Sequence, residues 1–596
     1  MGESTIAAPA RRSLGARTMT EAFRLTVEDH ADRVAVRTKD DEVSLTWAEL
    51  RDRVDALAGG LAGLGVRRGD SVALMLGNRP EFAIADLAAM TLGATPFSIY
   101  QTFTPAQIAY VVGDAGARVA IVEAAFLERF RAARSELPAL EQVIVVEGED
   151  GPDTLGWADV EGADPDFDAE PHWRAVESED LVTLIYTSGT TGPPKGVQLV
   201  HRNLLAGVRA ADGIIHFPDG SRVISWLPAA HIAERMAHFY LPIVFGMTVT
   251  TCPNPREIVA YLPAVKPTWF FAVPRIFEKL KAGLEGHLRT QGDQTVAWLD
   301  AARRKVELEQ AGEPVPDDVA ATAAEGEAQL FSGLRTMLGL DEAISVNAGA
   351  APTPRDVLVF FHAIGVPLAE LWGMSETCGV GAVNPPGAIK IGTVGPASPG
   401  IEARLADDGE LLVRGDAVMI GYRGMAEQTA EALDDEGWLH TGDIATIDED
   451  GYIAIVDRKK EIIINAAGKN MSPANIESTL KGAGPVIGHV AVIGDRRPYN
   501  TALVVLDADF APALAAQRGI EGRSLEQLAT EAAIVAAVQE AVDKGNAELA
   551  RVEQIKKFTI VPGDWMPGGD ELTPTLKLKR KPIHAKYTDE IEAMYG

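Results

Sequence analysis

Residues 181–197 read LVTLIYTSGTTGPPKGV. The run 181–186 has the length and the apolar, β-prone content of a buried strand. Behind it stand Thr187, Ser188, Thr190 and Thr191, interleaved with Gly189, Gly192 and Gly196, and Lys195 closes the series. Glycines let successive backbone N–H groups turn toward one point, the hydroxyls add donors, and the lysine adds a full positive charge. Set between a strand and a helix expected after His201-Arg202-Asn203, a loop of this composition suits phosphate oxygens. A merely solvated Ser/Thr/Gly loop has no need to combine all of these groups behind a buried strand. It is not a Walker loop: counted from Gly189, Pro194 falls on the second required glycine and Gly196 on the Ser/Thr that should follow the lysine. The sequence also holds no GxGxxG behind a strand candidate, no GxSxG elbow and no HExxH. Dinucleotide, serine-hydrolase and zincin chemistries therefore lack their residues.

Around this loop the chain extends to 596 residues, enough for two or more folding units. Lysines and arginines number 55 against 85 aspartates and glutamates, a formal charge of −30. So acidic a chain is unsuited to general nucleic-acid binding, and an anionic substrate has to be drawn in by local basic groups. Cys252 and Cys378 are the only cysteines, which excludes a disulfide framework and points to a reducing, cytoplasmic setting. No run is long enough for a membrane-spanning helix. Residues 1–24 read as a flexible tail. Beyond them helical and strand patterns alternate, as in 47–64 followed by SVALML, and again in TPAQIAYVVGDAGARVAIVE. That alternation predicts an α/β fold: a large N-terminal domain of parallel-rich sheets covered by helices, residues 25–456. Residues 279–328 read as a charged helical excursion interrupted at 312–316. After residue 440 the style changes. IATIDEDGYIAIVD reads as a β-hairpin, and a small α+β domain is expected over 457–596.

Four further motifs follow in order: ELWGMSET (370–377), GWLHTGD (437–443), DRKKEIII (457–464) and ELTPTLKLKR (571–580). With TSGTTGPPKG they make the chain resemble the adenylate-forming superfamily of acyl-CoA synthetases, luciferases and peptide-synthetase adenylation domains, over roughly residues 25–585. The resemblance implies ATP, CoA and Mg²⁺ as cofactors. Lys577 would be the adenylation lysine and Lys195 a phosphate ligand. Glu376, with Thr187, would hold Mg²⁺, and a carboxylate is a fitting hard-oxygen ligand. Thr187, Ser188, Gly189, Thr190, Thr191 and Gly192 would cradle phosphate. Gly349, Ala350, Ala351 and Trp372 would flank adenine, with Gly373, Ser375 and Thr377 beside the phosphates. Asp443 would accept the ribose hydroxyls, next to Arg458. Lys460 would be the hinge of a mobile small domain. The family's usual glycine before the C-terminal lysine is Leu576 here, and several lysines crowd that motif, so the register rests on Lys577 with Lys579 as the alternative.

The segments 225–246 and 267–280 resemble long-chain and very-long-chain fatty acyl-CoA synthetases, including the bubblegum type. They imply His231 at the catalytic end of an acyl pocket lined by Trp226, Phe239, Gly246 and Trp269; core packing is the competing reading for these aromatics. The implied reaction joins a long-chain fatty acid to CoA through acyl-AMP. Two other readings stay open: a fatty acyl-AMP ligase serving a carrier protein, and a non-catalytic acyl-nucleotide binder. No carrier domain is expected, because the chain runs only to residue 596 after Lys577. The partners expected are fatty acid, ATP and CoA, with no nucleic acid, no transmembrane segment and peripheral contact with membranes left open.

Overall fold

The computed structural model describes residues 11–148, 151, 153–187, 193–466 and 469–596. Within them the alternation of helix and strand builds an eight-stranded sheet. Its order runs Gly421–Tyr422, Lys195–Val200, Leu181–Thr187, Thr95–Ser98, Ser71–Met75, Val119–Glu123, Gln142–Val146 and Leu155–Gly156. The strands from Leu181–Thr187 onward pair in parallel, while Lys195–Val200 and Gly421–Tyr422 add antiparallel neighbours at one edge. Strand Ser71–Met75 shows why both faces are covered. Val72 and Leu74 enter one hydrophobic core while Ala73 and Met75 enter a second, and all of them are buried. Continuous apolar strands of this kind need helices on both sides. Those helices begin on sequence signals: Thr46 and Thr104 make capping boxes with Glu49 and Gln107.

Two four-stranded sheets and a five-stranded sheet complete the large domain. One of the four-stranded sheets places Trp269–Ala272, Ser345–Ala348 and Leu368–Trp372 in parallel. The five-stranded sheet contains the expected hairpin, Leu439–Ile447 against Tyr452–Arg458. The small domain is a three-stranded sheet whose alternation is equally regular. Val490 and Val492 pack under helices Pro473–Ala483 and Ala532–Glu548, whereas Ala491 and Ile493 pack with Ile583 and Ile591 on the other face. Helix Pro274–Thr290 of the large domain fastens this unit through ion pairs. Arg275 bridges Glu278 (2.8 Å) and Asp507, Lys279 meets Asp509 at 2.6 Å, and Lys481 approaches Glu278 at 3.8 Å.

Two expectations are corrected. Residues 11–24 are not tail: Thr18 caps helix Met19–His30, and Arg209 donates to the carbonyls of Leu14 and Ala16, both at 2.9 Å. The Leu14 and Ala16 carbonyls are tied to a distant helix, a contact that no local pattern reveals. The second correction concerns the phosphate-type loop. It joins two antiparallel strands, and helix His201–Ile215 follows only after Lys195–Val200. The helix dipole is therefore one strand away from the loop.

Candidate active site

The strands Leu181–Thr187 and Lys195–Val200 pair so that Thr187 lies opposite Lys195. Ser188, Gly189, Thr190, Thr191 and Gly192 lie outside the described residues. The Thr187 hydroxyl donates to the Lys195 carbonyl at 3.4 Å. The Lys195 ammonium stands 4.6 Å above the Tyr422 ring, a favourable position over the negative face of the π system. The Tyr422 hydroxyl in turn donates to Glu376 Oε1 at 2.8 Å. Burial and the neighbouring Glu376 push the Tyr422 phenol well above its ordinary range. Lys195, Tyr422 and Glu376 therefore form one connected unit drawn from three stretches of sequence.

Glu376 is the middle residue of a tight turn, Ser375–Thr377, just past the end of strand Leu368–Trp372. Gly373 is required there, because a Cβ would collide with the Gly379 carbonyl. Thr377, expected among the phosphate ligands, turns inward: it is fully buried and its hydroxyl is engaged with the backbone of Met374. Ser375 sits at the head of the same turn, half-buried. Strand Ser345–Ala348 delivers Gly349 against Leu371 and Phe271, leaving Ala350 and Ala351 exposed beside it. Ala350 has φ of +70°, a backbone state that costs a non-glycine residue about 1–2 kcal/mol. Glu370 steadies this segment by accepting the Thr353 N–H at 2.9 Å, and burial raises its carboxyl to about 7.

Asp443 and Arg458 are register partners across the hairpin, and Arg458 Nε lies 2.8 Å from Asp443 Oδ1. Trp372 Nε1 donates to Asp443 Oδ2 at 2.8 Å. The carboxylate is only 4% exposed. Two sheets thus meet at one aspartate.

Lys577 reaches this place from the small domain. It lies in a turn closed by Thr573 N–H to Lys577 O at 2.8 Å and by Lys577 N–H to Thr573 Oγ1 at 3.0 Å. Leu576, the residue before it, has φ of +64°. Lys577 is exposed by area, while its ammonium is crowded enough by protein to carry a desolvation cost. That crowding, and then the Arg458 charge, lower its pKa, against the opposing pull of Asp443, Glu376 and Glu461. The other basic groups of the motif are engaged elsewhere: Lys579 Nζ donates to the Gly569 carbonyl at 2.7 Å, Arg580 pairs with Glu461 and Glu477, and Lys586 pairs with Glu571. Among the described residues Lys577 is the basic side chain of the motif that makes no hydrogen bond or ion pair, and the charges of Asp443 and Glu376 act on it. Lys460 occupies an exposed turn directly after strand Tyr452–Arg458.

His231 caps helix Ile232–Arg235, with Nδ1 accepting the Ala233 N–H at 3.1 Å. Burial first and the Lys577 charge second lower its pKa to about 4, so the ring is neutral at ordinary pH. The acyl-pocket candidates are firmly packed. Trp226 donates to the Phe271 carbonyl at 3.2 Å, Trp269 to Asn347 at 2.7 Å, and Phe239 meets Phe82 edge-on at 5.7 Å. Gly246 ends helix Leu241–Phe245 with φ of +61°, where a Cβ would collide with His30; its place is a helix end packed on the N-terminal helix. The sequence reading passed over two groups. Tyr422 had no signal beyond the glycines of GYRG (421–424). Arg235 is fully buried against Asp86 at 2.5 Å, with Tyr240 beside it.

Among the described residues, no cluster of three His, Cys, Asp or Glu could hold a metal, and no helix is long and apolar enough to cross a membrane. Comparison with known proteins gives a consistent picture. The family model "AMP-binding enzyme" matches residues 23–423, and "AMP-binding enzyme C-terminal domain" matches residues 460–596. The chain is 36% identical over 564 residues to the long-chain-fatty-acid–CoA ligase FadD15 of Mycobacterium bovis, covering 93% of this chain and 92% of that one. It is 31% identical over 633 residues to the long-chain-fatty-acid–CoA ligase ACSBG2 of Gallus gallus, covering 97% and 81%. The crystal structure of the adenylation domain of a carboxylate reductase from Mycobacterium chelonae shares the fold with a TM-score of 0.76 at 19% identity, covering 98% and 93%.

Proposed function

The chain belongs to the AMP-binding enzyme family, and from that membership we propose that it activates a long-chain fatty acid with ATP and transfers the acyl group to CoA. A carboxylate oxygen of the acid attacks the α-phosphorus, and the bond to the bridging oxygen breaks. Pyrophosphate leaves with the electron pair, giving acyl-AMP. The CoA thiol, giving up its proton, then adds to the acyl carbonyl, and AMP leaves as the thioester forms. No covalent enzyme intermediate is needed. The chain's contribution is positioning and charge.

The observation that carries this reading is the Asp443 carboxylate, with Arg458 Nε and Trp372 Nε1 each 2.8 Å from one of its oxygens, together with the Lys195–Tyr422–Glu376 unit. Asp443 offers acceptor oxygens for ribose. Lys195, over Tyr422 at one end of the phosphate hairpin, and Lys577 at the other side supply positive charge for α-phosphate and carboxylate. Magnesium fits Glu376. One of its oxygens accepts the Tyr422 hydroxyl, and among the described residues the other accepts no hydrogen bond; the Thr187 hydroxyl is the second candidate ligand. Bound there, the ion would neutralise triphosphate charge. The neutral His231, capped at Nδ1, would present Nε2–H toward the acid. Phe239 and Trp226 support an apolar wall for the chain, and the names of the relatives favour long-chain acids. Placement in the cytoplasm belongs to the same proposal, on the low cysteine usage.

The test is AMP release with ATP and a series of acids from acetate to very long chains, with and without CoA. Release that needs CoA and rises with chain length supports the reading. A preference for acetate or an aromatic acid overturns the long-chain assignment, and full turnover with an acyl carrier protein but not with CoA overturns the acceptor.

A further inference from the structure

Asp443 is held from two directions that have no sequence relation to one another. Arg458, on the neighbouring strand of the same hairpin, brings Nε within 2.8 Å of Oδ1 without forming a two-pronged hydrogen bond, its Nη1 donating instead to the Thr441 carbonyl. Trp372 approaches Oδ2 with its indole N–H from the end of a strand in a different sheet. The Trp372 ring itself is seated on Gly381, where a Cβ would collide with ring carbons Cε3 and Cζ3, so the indole cannot drift.

The preferred geometry of arginine with a carboxylate is the two-pronged fork. An aspartate beside Arg458 alone would rotate about χ2, a soft torsion, and give both oxygens to the guanidinium. Trp372 prevents that rotation by holding Oδ2 on the other side. Each oxygen then keeps a lone pair for a further donor, and two such acceptors on one carboxylate are the shape that a vicinal diol matches. The residue resembles the aromatic that flanks adenine in relatives, but a tyrosine or phenylalanine ring carries no indole N–H.

We propose that the Trp372 indole N–H orients the Asp443 carboxylate and thereby sets this chain's discrimination between ATP and its 2′- and 3′-deoxy analogues. Trp372 is a positioning residue in this account, acting through Asp443, and the inference rests on the reading of Asp443 as the ribose acceptor.

The experiment measures fatty-acid-dependent pyrophosphate exchange by the full chain with ATP, 2′-deoxy-ATP and 3′-deoxy-ATP, comparing kcat/KM. In Trp372→Phe the ring remains and the donor is lost. The preference for ATP over each deoxy analogue should shrink by about tenfold, because ATP loses more than either deoxy analogue. An equal fall for all three nucleotides, with the preference intact, overturns the proposal and leaves Trp372 a stacking residue only. Should Trp372→Phe fold poorly, β-(3-benzothienyl)alanine placed at 372 by nonsense suppression keeps the shape of tryptophan and removes only the N–H, and the same two outcomes decide. Asp443→Ala separates the two levels: if it leaves the preference at the wild-type value, the ribose reading itself fails, whereas a lost preference in Asp443→Ala beside an intact one in Trp372→Phe defeats the inference alone.

Discussion

Two lysines of the proposed site are held in opposite ways. Lys195 opens a strand of the eight-stranded sheet, paired to Thr187 and stacked on Tyr422, so its position is a property of the large domain's core. Lys577 sits in a five-residue turn of the small domain behind a left-handed Leu576, and reaches the cleft only while the two domains keep this orientation. That orientation is secured by ion pairs such as Arg275–Asp507 and Lys279–Asp509. Exposed pairs such as Lys279–Asp509 are individually weak. One positive charge is thus permanent and the other conditional, which is the arrangement a two-step reaction needs if the first step alone uses the second lysine.

The largest expected effect breaks the conditional side. Lys577→Ala should slow acyl-AMP formation by about 2.7–4 kcal/mol, roughly 100- to 1,000-fold. Given preformed acyl-AMP and CoA, the same variant should still make thioester near the normal rate. Lys460→Pro should do the reverse, forming acyl-AMP and then stalling, because proline fixes φ in the turn that has to change. Equal failure of both variants in both half-reactions would remove the distinction between the lysines.

Lys195→Ala tests the permanent side. Adenylation should fall by about 100-fold, and acyl-AMP consumption should fall too, since Lys195 stays in the cleft in every orientation. Pyrophosphate exchange near the wild-type rate in a folded variant would take Lys195 out of the site.

The third expectation concerns pH. With the pKa of Lys577 lowered by its crowded surroundings and by Arg458, the cation needed for adenylation is lost as pH rises through that depressed value, below the ordinary lysine range. The sign for stability is opposite. Carrying the charge in the folded state costs free energy at low pH, and the cost fades as pH climbs toward the unfolded value. Adenylation should therefore decline on the alkaline side before the fold weakens, and Lys577→Ala should flatten that limb. His231, held near 4, should add no acid limb around neutrality.

The smallest effect sharpens the comparison at one backbone angle. Leu576→Gly removes a left-handed penalty of about 1–2 kcal/mol and adds unfolded-state entropy worth about 0.5–1 kcal/mol. Calorimetry should show a Tm equal to or slightly above the original. A clear fall would mean that the half-exposed leucine makes contacts worth more than its strain.

Much of this was legible in the sequence because it lies in short, ordered motifs. Asp443 meets Arg458, and Lys195 is linked to Glu376 through Tyr422, while the alternating strands of both domains follow their apolar periodicity. What escaped was set by distant contact. KGVQLV became a strand between two antiparallel neighbours because Leu181–Thr187 and Gly421–Tyr422 offer it partners, so the phosphate-type loop meets a strand before any helix. Residues 11–24 are ordered by Arg209, and Tyr422 is placed under Lys195 by an edge strand of only two residues. Gly246, read as part of an acyl wall, closes a helix against His30. None of these pairings has a local signature.

The strand Tyr452–Arg458 ends on the residue that grips Asp443, two positions before Lys460. A nucleotide seated on Asp443 therefore bears on the very segment about which the small domain would turn. By thermodynamic reciprocity, whatever orientation holds the nucleotide more tightly is itself favoured by the nucleotide to the same degree. AMP, the last fragment of the cofactor to remain, would then act as a brake on the return swing, and its departure would set the tempo at which the next acid can be taken up.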